Sequence, residues 1–221
     1  MILSRGRSYV FIHIPKTGGT ALSLALEARA MAGDQMLGDT PKALRRRRRV
    51  QKIKSHGRLW KHSTLADIEG LASREDLRGH FAFTLVRNPY DRVVSYFHWL
   101  RAQRFAHPVV TLAKNLSFQS FVCNPHVVAS LRANPYTSYM LQSNGQEHCD
   151  LYIRLETFAA DAQPLFDHLG FSFELSRVNE SSRCRDWRKY YTEQAFDAVS
   201  RACSDDIRQF EYSFNEFPLS L

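Results

Sequence analysis

Short apolar runs alternate with helix-forming segments along this chain. Three runs rich in β-branched and aromatic residues predict buried strands at residues 8–14, 80–86 and 150–156. Each run is followed by a turn and then by a segment whose apolar residues recur at helical spacing. This order predicts an α/β fold, with helices in three-layer α/β/α arrangement around a central parallel sheet.

The helical segments have recognisable ends. The first closes near Gly33, the second begins at about Tyr90, and the third ends at Gly170. Further helices are predicted at 65–72, where Ser63 or Thr64 caps the first turn, near 116–122, and over 192–212. Residues 33–60 are polar and predict a loop with a helical piece. With 221 residues and neither a repeat nor a linker, the chain is expected to form a single domain, 1–221.

The composition of the chain restricts the classes of ligand to expect but does not identify one ligand. Lys and Arg outnumber Asp and Glu by 30 to 22, a formal charge of +8, which favours anionic ligands of several classes. The four cysteines form no CxxC pair, so no metal site is expected. No apolar stretch is long enough for a signal peptide or a membrane span, so we expect a protein that has no transmembrane segment, is cytoplasmic and is not secreted.

The turn after the first strand reads PKTGGT and predicts a phosphate-binding loop. Gly18 and Gly19 allow the backbone to approach a ligand, and the helix that follows presents unpaired N–H groups and the positive end of its dipole. Lys16 adds a charge, while Thr17 and Thr20 add hydroxyl donors. An ordinary strand-to-helix turn would share the glycines, so this loop by itself leaves both interpretations open.

The turn after the second strand carries a second set of anion-binding side chains. Arg87 lies at the strand end, and Ser95 follows about two helical turns later, so that both can reach one phosphate. Arg92 lies between them and is open to pairing with Asp91 or to facing solvent. In PKTGGT the lysine precedes the glycines, unlike the nucleoside-triphosphate loop GxxxxGK[ST], and the second strand ends in Arg instead of the Asp that would hold magnesium. The pattern predicts anion binding without a metal.

Together, PKTGGT and VRNPYDRVVSYF resemble the two phosphate-binding motifs of the sulfotransferases, in the branch that holds heparan sulfate 2-O-sulfotransferase and its bacterial relatives. The resemblance continues through LYIRLETF and RVNESSRCRDWRKYYT and is weak at 33–55 and 101–148. It implies a P-loop-NTPase-like sulfotransferase fold, the donor 3′-phosphoadenosine 5′-phosphosulfate and the product adenosine 3′,5′-bisphosphate. By resemblance the 5′-phosphosulfate is held by Lys16, Thr17, Gly18, Gly19 and Thr20, and the 3′-phosphate by Arg87 and Ser95.

The resemblance also implies a catalytic histidine. WKHSTLADI is similar to the family segment that carries it, which makes His62 the expected base, with His56 as the rival alignment. Lys16 is expected to stabilise the charge that grows on the leaving phosphate. A late basic segment folds over the nucleotide in the family, so Arg185 and Lys189 are candidate contacts, although a solvated basic loop explains them equally well.

The acceptor is expected to be the hydroxyl of a carbohydrate or glycoconjugate, and an anionic acceptor would suit the charge. The five arginines at 45–49 indicate a solvated loop, attraction of an anionic acceptor or attraction of nucleic acid; we favour the first two together and expect no specific nucleic acid. Two other functions stay open from the sequence. An ATP-dependent kinase would need magnesium, and a polyanion- or RNA-binding module would not need PKTGGT.

Overall fold

The structure, a computed structural model, describes residues 1–50, 52–176, 178 and 183–216. The chain divides into two compact units, each of which is described by itself. Unit 1 comprises Met1–Val86 and Tyr136–Val178, and unit 2 comprises Arg87–Pro135 and Asn179–Leu221.

Unit 1 is built on a single sheet. In the described residues its strands are Ile2–Ser4 (β1), Tyr9–Ile12 (β2), Gln35–Met36 (β3), Phe81–Val86 (β4) and Leu151–Arg154 (β5). The order across the sheet is β3-β1-β2-β4-β5. Strands β2, β4 and β5 are the three predicted from the sequence, and they pair in parallel at the centre. Strand β1 pairs antiparallel with both β2 and β3.

The parallel strands are buried on both faces, because their side chains alternate between two cores. One core joins Tyr9, Phe11 and Phe83 to residues of the helices Gly19–Ala28 (α1), Phe158–Asp161 and Gln163–Leu169. The other joins Val10 and Ile12 to the segment 65–77. A sheet covered on both faces in unit 1 confirms the predicted α/β class with a parallel centre.

The helices complete both units. In chain order the described helices are Gly19–Ala28 (α1), Pro41–Arg46 (α2), Arg74–Arg78 (α3), Pro89–Arg101 (α4), Pro108–Asn115 (α5), Phe118–Val122 (α6), Pro125–Ala133 (α7), Phe158–Asp161 (α8), Gln163–Leu169 (α9), Glu193–Ala202 (α10) and Ser204–Gln209 (α11). Unit 2 is helical, with a core drawn from α4, α5, α6, α7 and α10 and from Trp187.

The helix predicted at 65–72 is wrong. Thr64 and Asp67 exchange the reciprocal side-chain and backbone hydrogen bonds typical of a helix start. The turn does not continue into a helix, because the Gly70 N–H donates forward to the Ala72 carbonyl instead of back to Ala66, and Gly70 has a left-handed backbone at φ 100°. The predicted helices at 157–170 and 192–212 do form, but each is divided into two shorter helices.

Candidate active site

The PKTGGT loop lies between β2 and α1 and has an unusual backbone. Lys16 adopts a left-handed conformation at φ 67°, and so does Gly18 at φ 89°, whereas Thr17 between them does not. Alternation of backbone hand along successive residues is the pattern found in anion-binding nests, in which N–H groups converge on the ligand. Gly18 is also the N-cap of α1, so the loop leads directly into unpaired N–H groups of a helix start.

Lys16 costs the fold some stability at this position. Left-handed backbone is unfavourable by roughly 1–2 kcal/mol for a residue with a Cβ, and glycine would avoid that penalty. Strained non-glycine residues concentrate at functional sites. The conformation of Lys16 therefore points to a role for its side chain.

Gly18 and Gly19 are both required by packing. A Cβ at Gly18 would lie 2.8 Å from Leu155 Cδ1, and a Cβ at Gly19 would lie 2.5 Å from His13 Nε2. Protein atoms, rather than an open space for a ligand, thus occupy the neighbourhood of each missing side chain. Their predicted contact with the donor stays a prediction.

The two threonines of the loop differ in what they present. The fully buried Thr17 donates its hydroxyl to the Ile14 carbonyl at 3.0 Å, so it would reach a phosphate through its backbone N–H. Thr20 is only partly buried and lines a small pocket together with His13 and Lys61. Of the two hydroxyls predicted to bind phosphate, that of Thr17 is committed to holding the loop.

His62 is fixed against the strand that leads into the loop. Its Nδ1 lies 2.7 Å from the His13 carbonyl oxygen, and the two imidazole rings meet edge to face with centroids 4.7 Å apart. Because a carbonyl can only accept, Nδ1 carries the proton and Nε2 keeps its lone pair. His62 is therefore held in the tautomer that a general base needs.

Burial keeps both histidines neutral. Desolvation is the largest cause lowering the pKa of His62 to about 4; the hydrogen bond to His13 opposes it and the charge of Lys61 adds to it. The pKa of His13 is likewise well below its ordinary value, chiefly through burial and then through the proximity of His62. At neutral pH the imidazole of His62 can accept a proton.

His56, the other candidate base, has different surroundings from His62, and His13 is a further residue of the site that the sequence did not single out. His56 is exposed, and its backbone N–H donates a hydrogen bond to the Glu69 carbonyl. His13 is buried, contacts the phosphate loop at Gly19 and supplies the carbonyl that orients His62. The signal available in the sequence was a histidine within an otherwise apolar strand, FIHI.

Unit 2 holds the second predicted set. Arg87 follows β4, and its Nε donates to Oδ2 of Asp91 at 2.9 Å. The other oxygen of the same buried carboxylate, Oδ1, forms an ion pair with Arg183. It lies 2.6 Å from Nη2 of Arg183, but the two groups are not aligned as a hydrogen bond. Asp91 thus gathers two guanidinium groups, both largely buried, into one cationic cluster.

The other residues predicted to contact the nucleotide differ in their exposure to solvent. Ser95 lies two turns along α4 and is 7% exposed. Arg185 and Lys189 are both exposed, whereas Arg183 from the same basic segment joins the Asp91 cluster. The charge density of that segment was visible in the sequence, but which arginine turns inward was not. A role for Arg185 stays a prediction.

The arginine run is partly structural. Arg46 donates to the carbonyls of Met31 and Asp34, and Arg49 donates to that of Ala32. Arg47 and Arg48 are exposed. The run therefore secures the loop after α1 with two side chains and directs others to solvent.

Within the described ranges, no group of His, Cys, Asp and Glu is arranged to hold a metal ion. Nor does that part of the chain contain a helix long and apolar enough to cross a membrane.

Comparison with known proteins identifies the family. The model of the sulfotransferase family (family 2) matches residues 1–217, nearly the whole chain, and the chain belongs to that family. No curated protein and no solved structure matches it. The resemblance carried by the two phosphate-binding motifs is confirmed at this level.

Proposed function

We propose that this member of the sulfotransferase family transfers a sulfuryl group from 3′-phosphoadenosine 5′-phosphosulfate to a hydroxyl of a carbohydrate or glycoconjugate. The observation that carries the proposal is the nest formed by Lys16 and Gly18 at the start of α1, beside a neutral, oriented His62. The family match spans both compact units, and we take them to form one sulfotransferase domain.

The residues divide the chemistry between them. Nε2 of His62 takes the proton of the acceptor hydroxyl as its oxygen attacks sulfur. The bond between sulfur and the bridging oxygen breaks, and its electron pair passes to the 5′-phosphate. The ammonium group of Lys16 and the N–H groups of the loop stabilise the charge that develops there. The products are a sulfate ester and adenosine 3′,5′-bisphosphate.

Arg87 and Ser95 are assigned to the 3′-phosphate. A guanidinium with its planar fork suits a phosphate, and Asp91 orients that of Arg87 while leaving the cluster with a net positive charge from Arg183. Arg87 should therefore act mainly on donor affinity.

Calorimetry with adenosine 3′,5′-bisphosphate tests the donor assignment. Because hydrogen bonds between charged groups contribute about 1.5–3 kcal/mol, Arg87→Ala should weaken binding by about ten-fold or more. Adenosine 5′-monophosphate, which lacks the 3′-phosphate, should bind wild type and variant alike. Arg104→Ala, which removes an exposed charge from the same unit, is the control. Absence of bisphosphate binding, or binding unaffected by Arg87→Ala, would contradict the proposal.

The acceptor class is assigned from the charge of the protein. The net charge of +8 and the exposed arginines Arg47 and Arg48 favour an anionic glycan. Transfer of labelled sulfate from the donor to a panel of glycans, lipids and small alcohols would identify the class. The cytoplasmic location expected from the sequence stays a prediction.

A further inference from the structure

A tryptophan lies open to solvent against the proposed base. The rings of Trp60 and His62 meet edge to face with centroids 5.0 Å apart, and Trp60 is 43% exposed. Indole is largely apolar, so exposed indole gains free energy when another apolar surface covers it. Trp60 is thus a contact surface for a molecule whose reacting group lies at His62.

Arg58 supplies a charge beside this indole. Its guanidinium carbon lies 5.3 Å from the centroid of the Trp60 ring, in cation–π geometry. Arg58 is exposed, and no carboxylate in the part of the chain that the structure describes is paired with it. A cation without a protein counter-ion at this position favours an anionic group on the ligand.

The pair is held in place before any ligand binds. Ser63 is fully buried, and its Oγ accepts a hydrogen bond from the backbone N–H of Trp60 at 2.8 Å. The same Oγ lies 2.9 Å from the carbonyl oxygens of Arg58 and Trp60, to one of which it donates. A turn stapled in this way loses little conformational freedom on binding, which favours affinity.

We propose that Trp60 and Arg58 form the acceptor subsite. The apolar face of the sugar ring that carries the reacting hydroxyl packs on the Trp60 indole, and a carboxylate or sulfate of the same glycan pairs with Arg58. The hydroxyl rim of that sugar then faces Nε2 of His62. This inference rests on the proposed function, since it takes His62 as the base.

Electrophoresis through gels containing a polysaccharide tests the subsite by binding alone. Alginate, a polyuronate, and dextran, a neutral glucan, are the probes. Wild type should be retarded by alginate and not by dextran. Trp60→Ala and Arg58→Ala should each weaken alginate binding about ten-fold, the effect of losing roughly one good aromatic or charged contact.

Two matched variants separate this subsite from general attraction. Trp99→Ala removes a tryptophan of similar exposure, 36%, and Arg78→Ala removes another exposed arginine of unit 1. Both should bind alginate as wild type does. Trp60→Phe, which keeps an aromatic face, should recover part of the loss seen with Trp60→Ala.

Each remaining outcome overturns the inference. Equal loss with Arg78→Ala would show diffuse attraction in place of a site, and equal retardation by dextran would refute the anionic class. Unchanged binding of Trp60→Ala would remove the indole from the subsite, and failure of wild type to bind alginate would refute the assigned acceptor chemistry. Calorimetry of adenosine 3′,5′-bisphosphate binding to wild type distinguishes these results from failure of the proposed function, which would abolish bisphosphate binding as well.

Discussion

The contact between Gly19 and His13 gives the most direct test of how the site is built. A Cβ at Gly19 would lie 2.5 Å from Nε2 and 2.8 Å from Cγ of the buried His13 ring. Gly19→Ala should therefore displace that ring. Since the His13 carbonyl orients His62, the displacement should reach the base as well.

The expected cost follows from two opposed effects. Gly19 begins α1, where alanine is favoured over glycine by about 0.5–1 kcal/mol in a helix. Against this, forcing a methyl group into a packed interior costs about 1–3 kcal/mol. The buried His13 ring lies against the new methyl group, and ordinary carbon contacts need about 3.5–4.0 Å, so we expect the clash to prevail by about 1–2 kcal/mol.

Urea unfolding of matched variants measures this difference. Gly33→Ala is the control, because no atom lies within 4 Å of the Cβ it would add. We expect Gly19→Ala to lower the unfolding midpoint and Gly33→Ala to leave it unchanged or raise it slightly. Sulfuryl transfer should fall with Gly19→Ala and not with the control.

A second background isolates the ring itself. In His13→Ala the space beside Gly19 is open, so adding Gly19→Ala to that variant should cost little or stabilise. If Gly19→Ala is as stable and as active as wild type, or if its cost is the same with and without the His13 ring, the packing argument is refuted.

Three further perturbations test separate contacts. His62→Gln should abolish most turnover while bisphosphate affinity stays within about two-fold, and retained turnover would exclude His62 as the base. Because the pKa of His62 is lowered to about 4, its contribution to stability is fully present above its ordinary pKa near 6.5 and is lost as pH falls toward 4. Urea unfolding across this range should show that the free energy of unfolding falls less steeply with decreasing pH in His62→Gln than in wild type. The same pH dependence in both proteins would contradict the lowered pKa. Thr17→Val should cost about 1–2 kcal/mol in urea unfolding by leaving the Ile14 carbonyl unpaired, whereas Thr17→Ser should retain most stability; equal losses would refute that role. Asp91→Ala removes the carboxylate that two largely buried guanidinium groups share and should cost about 3 kcal/mol, so a thermally unchanged variant would show that the cluster is not structural.

Local patterns in the sequence were sufficient for the central strands and for the family. Apolar runs such as YVFI and FAFTLV are read from neighbouring positions, and a strand buried on both faces needs no polar alternation. Glycine and lysine at a strand-to-helix turn likewise indicate a phosphate loop without any knowledge of distant residues. Short-range preference also explains the error at 65–72, where the capping residues are present but the N–H of Gly70 donates forward to the Ala72 carbonyl.

Tertiary structure alone decided which side chains meet. The hydrogen bond from His62 to the His13 carbonyl joins residues 49 positions apart, and the pairing of Arg183, instead of Arg185, with Asp91 depends on how the basic segment folds back. The packing of His13 on Gly19 and the exposure of Trp60 beside His62 are of the same kind. A sequence pattern specifies the conformation of neighbouring residues, because steric and hydrogen-bonding preferences act locally. Desolvation, tautomer and ligand-facing surface depend on neighbours in space, and these exist only once the chain has folded.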